Sequence, residues 1–81
     1  MVTIGVRLEN GKFGTVEIAN GFITIKGENI FTRRKIASIV EEYMKEKTKI
    51  NLKRRIGGFS YNSKHDTRVK SMLSILLKKY S

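Results

Sequence analysis

Apolar residues recur at every second position through the first third of the chain. Val2, Ile4, Val6 and Leu8 alternate with polar or small residues, and Val16 and Ile18, then Ile23 and Ile25, repeat the pattern. A period of two places such residues on one face of extended strands. Two Asn-Gly pairs, Asn10-Gly11 and Asn20-Gly21, stand where the alternation breaks, and this pair favours the positive φ of tight hairpin turns. Residues 2–26 therefore predict a three-stranded antiparallel meander. Loop length decides its register. A two-residue loop at Asn10-Gly11 pairs Val6 with Thr15 and Ile4 with Glu17, which scatters the aliphatic residues over both faces. A three-residue loop Glu9-Asn10-Gly11, with Gly11 left-handed, pairs Ile4 with Val16 and Val2 with Ile18 instead. A two-residue loop at Asn20-Gly21 then sets Ile18 against Ile23 and Val16 against Ile25. One face now collects the aliphatic residues. The other carries Thr3, Arg7, Phe13, Thr15, Glu17, Phe22, Thr24 and Lys26.

Beyond residue 31 the period changes to that of helices. Ile36, Ile39, Val40, Tyr43 and Met44 form one stripe and predict a helix over 32–47, with Thr32 as N-cap and Phe31 stapled against Ile36. Glu41 and Lys45 stand four apart in the favourable order. Val69, Met72, Leu73, Leu76, Leu77 and Tyr80 predict a second helix over 66–80, capped by Asp66 or Ser63. The stretch between, 48–62, reads two ways. Ile50 and Leu52 fit a short strand. Asn51, Leu52, Arg55 and Ile56 fit a short helix stopped by Gly57-Gly58, and this is the preferred reading, because Gly-Gly after a basic last turn is good C-terminal chemistry. The predicted fold is α+β: a meander packed on two or three C-terminal helices, with a helix-turn-helix-like arrangement among the latter. Residues 1–81 make a single domain, with the meander at 2–26 and a basic helical part at 32–80.

Charge divides along the same line. Residues 1–31 balance three Lys and Arg against three Glu, whereas residues 32–81 carry fourteen Lys and Arg against four acids and hold the whole net charge of +10. A field of this sign attracts polyanions and speeds their association. There is no cysteine, so packing alone must hold the fold, and a reducing, cytoplasmic setting is expected. The opening V-T-I-G-V-R-L-E alternates and carries charge early, unlike a secretory segment. No apolar run approaches the ~20 residues of a membrane span.

Three constellations are candidates for phosphate contact. Arg33, Arg34 and Lys35 fall in the first turn of the predicted helix, where cations oppose the macrodipole at about 0.3–1 kcal/mol each. A bound phosphate would offset that cost and meet free N–H groups. Lys53, Arg54 and Arg55 stand beside two glycines that permit close backbone approach. The polar arc of the last helix, Thr67, Lys70, Ser71 and Ser74, interleaves short hydroxyls with lysine and suits a groove, with Arg68 at its apolar margin. The loop before it, Tyr61 to His65, adds Lys64 and further donors.

The span Asn51–Tyr80, a short basic segment, a Gly-containing connector and then T-R-V-K-S-M-L-S-I-L-L-K-K, resembles a helix-turn-helix. The spacing of Thr67, Val69, Leu73 and Leu76 is similar to that of recognition helices in winged-helix regulators. The resemblance implies that helix 66–80 reads the major groove, with Thr67, Lys70, Ser71 and Ser74 facing bases. The turn from Gly57 to His65 is longer than the usual version, and the sheet precedes the helices where a wing usually follows them.

Catalysis finds little support. His65 is the only histidine, acids are few and dispersed, and Ser63, His65 and Asp66 lie too close in sequence for the convergent geometry of a triad. No catalytic residue, metal site, cofactor or small-molecule substrate is expected. The expected function is that of a small DNA-binding regulator. Arg33, Arg34, Lys35, Lys53, Arg54, Arg55, Lys64, Arg68 and Lys70 would clamp six to eight phosphates, with a loss of about 10³-fold in affinity between 50 and 200 mM salt. Two alternatives stand beside it. One is an RNA or single-strand binder that stacks bases on Phe13, Phe22 and Tyr61. The other is an inhibitor-like module that grips an acidic protein partner. Membrane-surface attachment through the amphipathic stretch 66–81 is a weaker option. A homodimer through the outer strand Val2–Leu8 or the last helix is also open.

Overall fold

The computed structural model describes residues 1–80. Its strands are β1 (Val2–Arg7), β2 (Phe13–Ala19), β3 (Phe22–Gly27), β4 (Lys53–Arg55) and β5 (Gly58–Ser60), and its helices are α1 (Ile30–Lys47) and α2 (Asp66–Leu77). Short 3₁₀ turns at Ser63–His65 and Lys78–Tyr80 flank α2. All strands join one antiparallel sheet in the order β1-β2-β3-β5-β4. Both helices cover the same face. Val6, Val16, Ile18, Ile23, Ile25 and Phe59 from the strands form one core with Ile36, Val40 and Met44 of α1 and Val69, Leu73, Leu76 and Leu77 of α2.

The meander has the register that loop length predicts. Ile4 pairs with Val16, Val2 with Ile18, Ile18 with Ile23 and Val16 with Ile25. Leu8 N–H donates to Lys12 O at 2.9 Å, which closes the three-residue loop with Gly11 at φ 83°. Asn20 and Gly21 both take positive φ, 44° and 91°, as a turn matched to strand twist requires. The predicted apolar stripes of both helices are likewise the buried ones except at half-buried Met72, with Ile39, Tyr43 and Tyr80 packed at the margin.

Three expectations are corrected. First, α1 begins at Ile30, because Asn29 in extended conformation accepts a bond from Thr32 N–H at 2.8 Å and is the cap. Thr32 is buried against Gly27 instead, where a Cβ would stand 3.1 Å from the Thr32 Cβ. Second, Asp66 is the first residue of α2 and not its cap. The capping position is His65, which makes no side-chain cap bond.

Third, residues 48–62 hold no helix. Lys53–Arg55 and Gly58–Ser60 form a hairpin around Ile56-Gly57, with Gly57 at φ 79°. The glycines that read as a helix stop serve a turn and a close approach. Ile25 N–H donates to Gly57 O at 2.8 Å, and a Cβ on Gly58 would strike the Ile23 carbonyl of β3. Pairing with β3 satisfies an edge that the meander alone would leave open, and that gain outweighs the local helical preference. With a hairpin and a 3₁₀ turn ahead of α2, the helix-turn-helix does not exist. The sheet has five strands, and the described residues contain two α-helices.

Candidate nucleic-acid interface

The hairpin brings together two basic segments that lie twenty positions apart in sequence. Arg33 and Arg34 stand on α1 one turn inside its start, and the helix faces the β4–β5 hairpin across a cleft of about 370 Å³. Arg54 and Arg55 line the opposite wall, with Ser38, Gly57 and Phe59 completing the cleft. Its one carboxylate is Glu41, which Arg54 engages through two bonds, Nε to Oε2 at 3.0 Å and Nη2 to Oε1 at 2.8 Å. These bonds to Arg54 hold the Glu41 carboxyl below its ordinary pKa and raise that of the guanidinium. The fork fixes the hairpin against α1 and orients Arg54. Arg33 and Arg34 have no carboxylate partner among the described residues. The cleft is thus lined by four arginines and one carboxylate, with the guanidinium of Arg55 turned out of it.

Arg55 sits at the lip. It lines the cleft, and it also lays its guanidinium over the Phe22 ring, 4.5 Å from the centroid, on the far side of the sheet. Lys53, two residues away and opposite Ser60, shares that far face by alternation. The basic run 53–55 therefore wraps the sheet's outer edge, one residue turned toward the helices and two away.

The other predicted contacts do not converge here. Lys35 turns from the cleft and lines a separate depression with Glu9, Lys12, Glu42 and Tyr80. Lys64 is exposed in the 3₁₀ turn before α2. Thr67, Arg68, Ser71 and Ser74 are exposed along α2, but α2 lies over β1 and β2 while α1 lies over β3. The body of α1 therefore separates that arc from the cleft. Lys70 is half-buried and bonded to Asp66 at 2.7 Å. Nor do Arg33, Arg34 and Lys35 occupy the first turn of α1: the helix starts two residues, and its cap lies three residues, earlier than expected, so the free N–H groups belong to Ile30 and Phe31.

Asp66 is held by Lys70 and by the Tyr61 hydroxyl, and these bonds keep its carboxyl below the ordinary range. Burial, with the bond to Asp66 behind it, pushes the Tyr61 phenol up. The adjacent Ser63, His65 and Asp66 are thus not arranged as a proton relay, since the acid faces other partners. No cluster of three metal-binding side chains occurs among the described residues, and no helix there is long and apolar enough to cross a membrane. No protein-family model, curated protein or solved structure matches the chain.

Reading 48–62 as a helix concealed Glu41 and Ser38 as cleft residues. Nothing in the sequence singles out Ile56, which stands at the hairpin tip with 97% of its surface exposed.

Proposed function

We propose that this domain binds nucleic acid without catalysing a reaction on it, and that the arginine cleft between α1 and the β4–β5 hairpin holds the phosphate backbone. The observation that carries the reading is the convergence of Arg33 and Arg34 with Arg54 and Arg55 around a cleft whose only carboxylate is already satisfied. Folding gains nothing from leaving Arg33 and Arg34 without a carboxylate beside a hairpin that is itself basic. An anion gains bidentate, charge-assisted bonds. The chain's surplus of +10 supplies the long-range attraction. DNA is the first polymer to test. Arg68, Thr67, Ser71 and Ser74 of α2 are candidates only for a second, separate contact.

The geometry also revises the expected salt response. With the basic residues divided among several surfaces, one bound segment meets about four cleft cations instead of six to eight. Affinity should then fall by about 10²-fold between 50 and 200 mM salt. Fluorescence anisotropy with a labelled oligonucleotide across that range measures the slope. The double substitution Arg33→Ala/Arg34→Ala should lower the slope by about two phosphate contacts, while Lys35→Ala leaves it nearly unchanged. A flat salt response, or no binding to any oligonucleotide, would overturn the reading in favour of an acidic protein partner.

A further inference from the structure

The helices cover one face of the sheet, and the opposite face stays open. Phe13 and Phe22 lie on it, 43% and 49% exposed. By alternation and register, Arg7, Lys26, Lys53 and Arg55 share this face. The one acid within the strands, Glu17, is paired with Lys26 at 3.6 Å, and Glu28, whose N–H donates to Phe13 O, stands 3.9 Å from Lys12. The face is therefore apolar and aromatic at two points and positive around them.

The Phe13 ring packs beside Gly5 of β1, where a Cβ would meet its edge atoms at 3.4 Å, an ordinary contact. Arg55 stacks on Phe22 and offers its own outer plane, and a guanidinium stacked on an aromatic is a good seat for a nucleobase. Because Arg55 also lines the cleft, positive charge runs without a break from the cleft, around the β4 edge and onto the open face. Phe22 pairs across the turn with Ala19, six residues along β2 from Phe13. At about 3.3 Å per residue the rings stand about 20 Å apart. At the rise of about 3.4 Å per nucleotide of a duplex strand that distance is about six nucleotides, and a more extended unpaired strand covers it in fewer. A duplex hides the flat faces of its bases in its own stack. An unpaired strand presents them.

We propose that the open sheet face binds an unpaired polynucleotide strand, with bases stacked on the Phe22–Arg55 pair and on Phe13 and the backbone led toward the arginine cleft. This rests on the nucleic-acid reading above and adds the state of the polymer. The test is anisotropy with labelled dT12, U12 and a 12-base-pair DNA duplex. Both single strands should bind more tightly than the duplex, and the preference between them names the sugar. Phe22→Ala should weaken single-strand binding by about 5- to 150-fold and leave duplex binding within about twofold. Phe22→Leu keeps the apolar bulk, removes the ring and should show the same selective loss. The chain has no tryptophan, so Phe22→Trp introduces a sole indole whose fluorescence dT12 should quench.

Equal or tighter binding to the duplex, or single-strand affinity unmoved by Phe22→Ala and Phe22→Leu, overturns the proposal. If the duplex still binds through Arg33 and Arg34, only the stacking face is lost. If none of the three probes binds, the nucleic-acid reading falls with it.

Discussion

The hairpins β2–β3 and β4–β5 use the same device, a two-residue turn with glycine at its second position, yet they are held in opposite ways. Strands β2 and β3 run seven and six residues and bury Val16, Ile18, Ile23 and Ile25 beneath the helices. Strands β4 and β5 have three residues each, and Phe59 is their one buried side chain. All of Lys53, Arg54 and Arg55 are exposed. The first hairpin stands on its own burial. The second is held from outside, by Phe59 opposite Ile23, by Tyr61 N–H bonded to Gly21 O at 2.9 Å, and by the fork from Arg54 to Glu41. The contrast separates two tasks: the meander supplies stability, and the hairpin presents charge. Its cations also guard the exposed edge of the sheet against pairing with other chains.

The largest effect should come from the first hairpin. Ile23 is fully buried between the helices and the neighbouring strands. Ile23→Ala should cost about 2–5 kcal/mol, read as a lower denaturant midpoint in a single transition. A cost within the range of surface substitutions would remove the distinction between the two hairpins.

Gly58→Ala tests the second hairpin from its docking side. A Cβ there meets the Ile23 carbonyl, so β5 must move away from β3. The expected cost is about 1–3 kcal/mol. Hydrogen exchange should show where it falls: amides of 53–60 lose protection while those of 14–26 keep theirs. Uniform loss across both segments would show that the hairpin belongs to the same cooperative unit as the meander.

The same contrast explains what the sequence disclosed. The meander was legible because a face of aliphatic residues and a countable loop leave one consistent register, and a slip by one residue would expose Ile4, Val16 and Ile25 together. The helices were legible from their stripes, although the start of α1 was misplaced because Thr32 and Asn29 both suit a cap and only packing against Gly27 decides between them. The β4–β5 hairpin was not legible. Three cations and one buried residue carry little periodic information, and Gly57-Gly58 has good chemistry for a helix stop as well as for a turn. What decides the matter is the bare edge of β3, which no local window contains. The candidate site inherited this error. Its residues stand out by charge, but which of the three basic constellations share a surface depends on the hairpin, which joins Arg33 and Arg34 to Arg54 and Arg55 and leaves Lys35 elsewhere.

The smallest effect sharpens the comparison through acid. Both Glu41 and Asp66 have folded pKa values held below their ordinary ones, Glu41 first by its bonds to Arg54 and Asp66 first by its bond to Lys70. A depressed carboxylate binds protons less readily in the folded state than in the unfolded chain. Its contribution is therefore present above the ordinary carboxylate range, near pH 4, and is lost as pH falls through the folded value. Melting temperature should hold steady from pH 7 to about 5 and decline below 4. Glu41→Gln and Asp66→Asn should each flatten part of that decline. The two parts should answer salt differently, because the Arg54–Glu41 side chains are 80% and 33% exposed while Lys70 and Asp66 are 26% and 20% exposed. Screening weakens the more open pair first, so 1 M salt should erase the Glu41 share and spare more of the Asp66 share. Loss of the Glu41 fork should also free 53–60 for exchange without touching α2, since the fork ties only the hairpin to α1. Equal salt sensitivity of the two shares, or an acid limb that rises below pH 4, would show that these carboxylates do not anchor the hairpin and α2 separately.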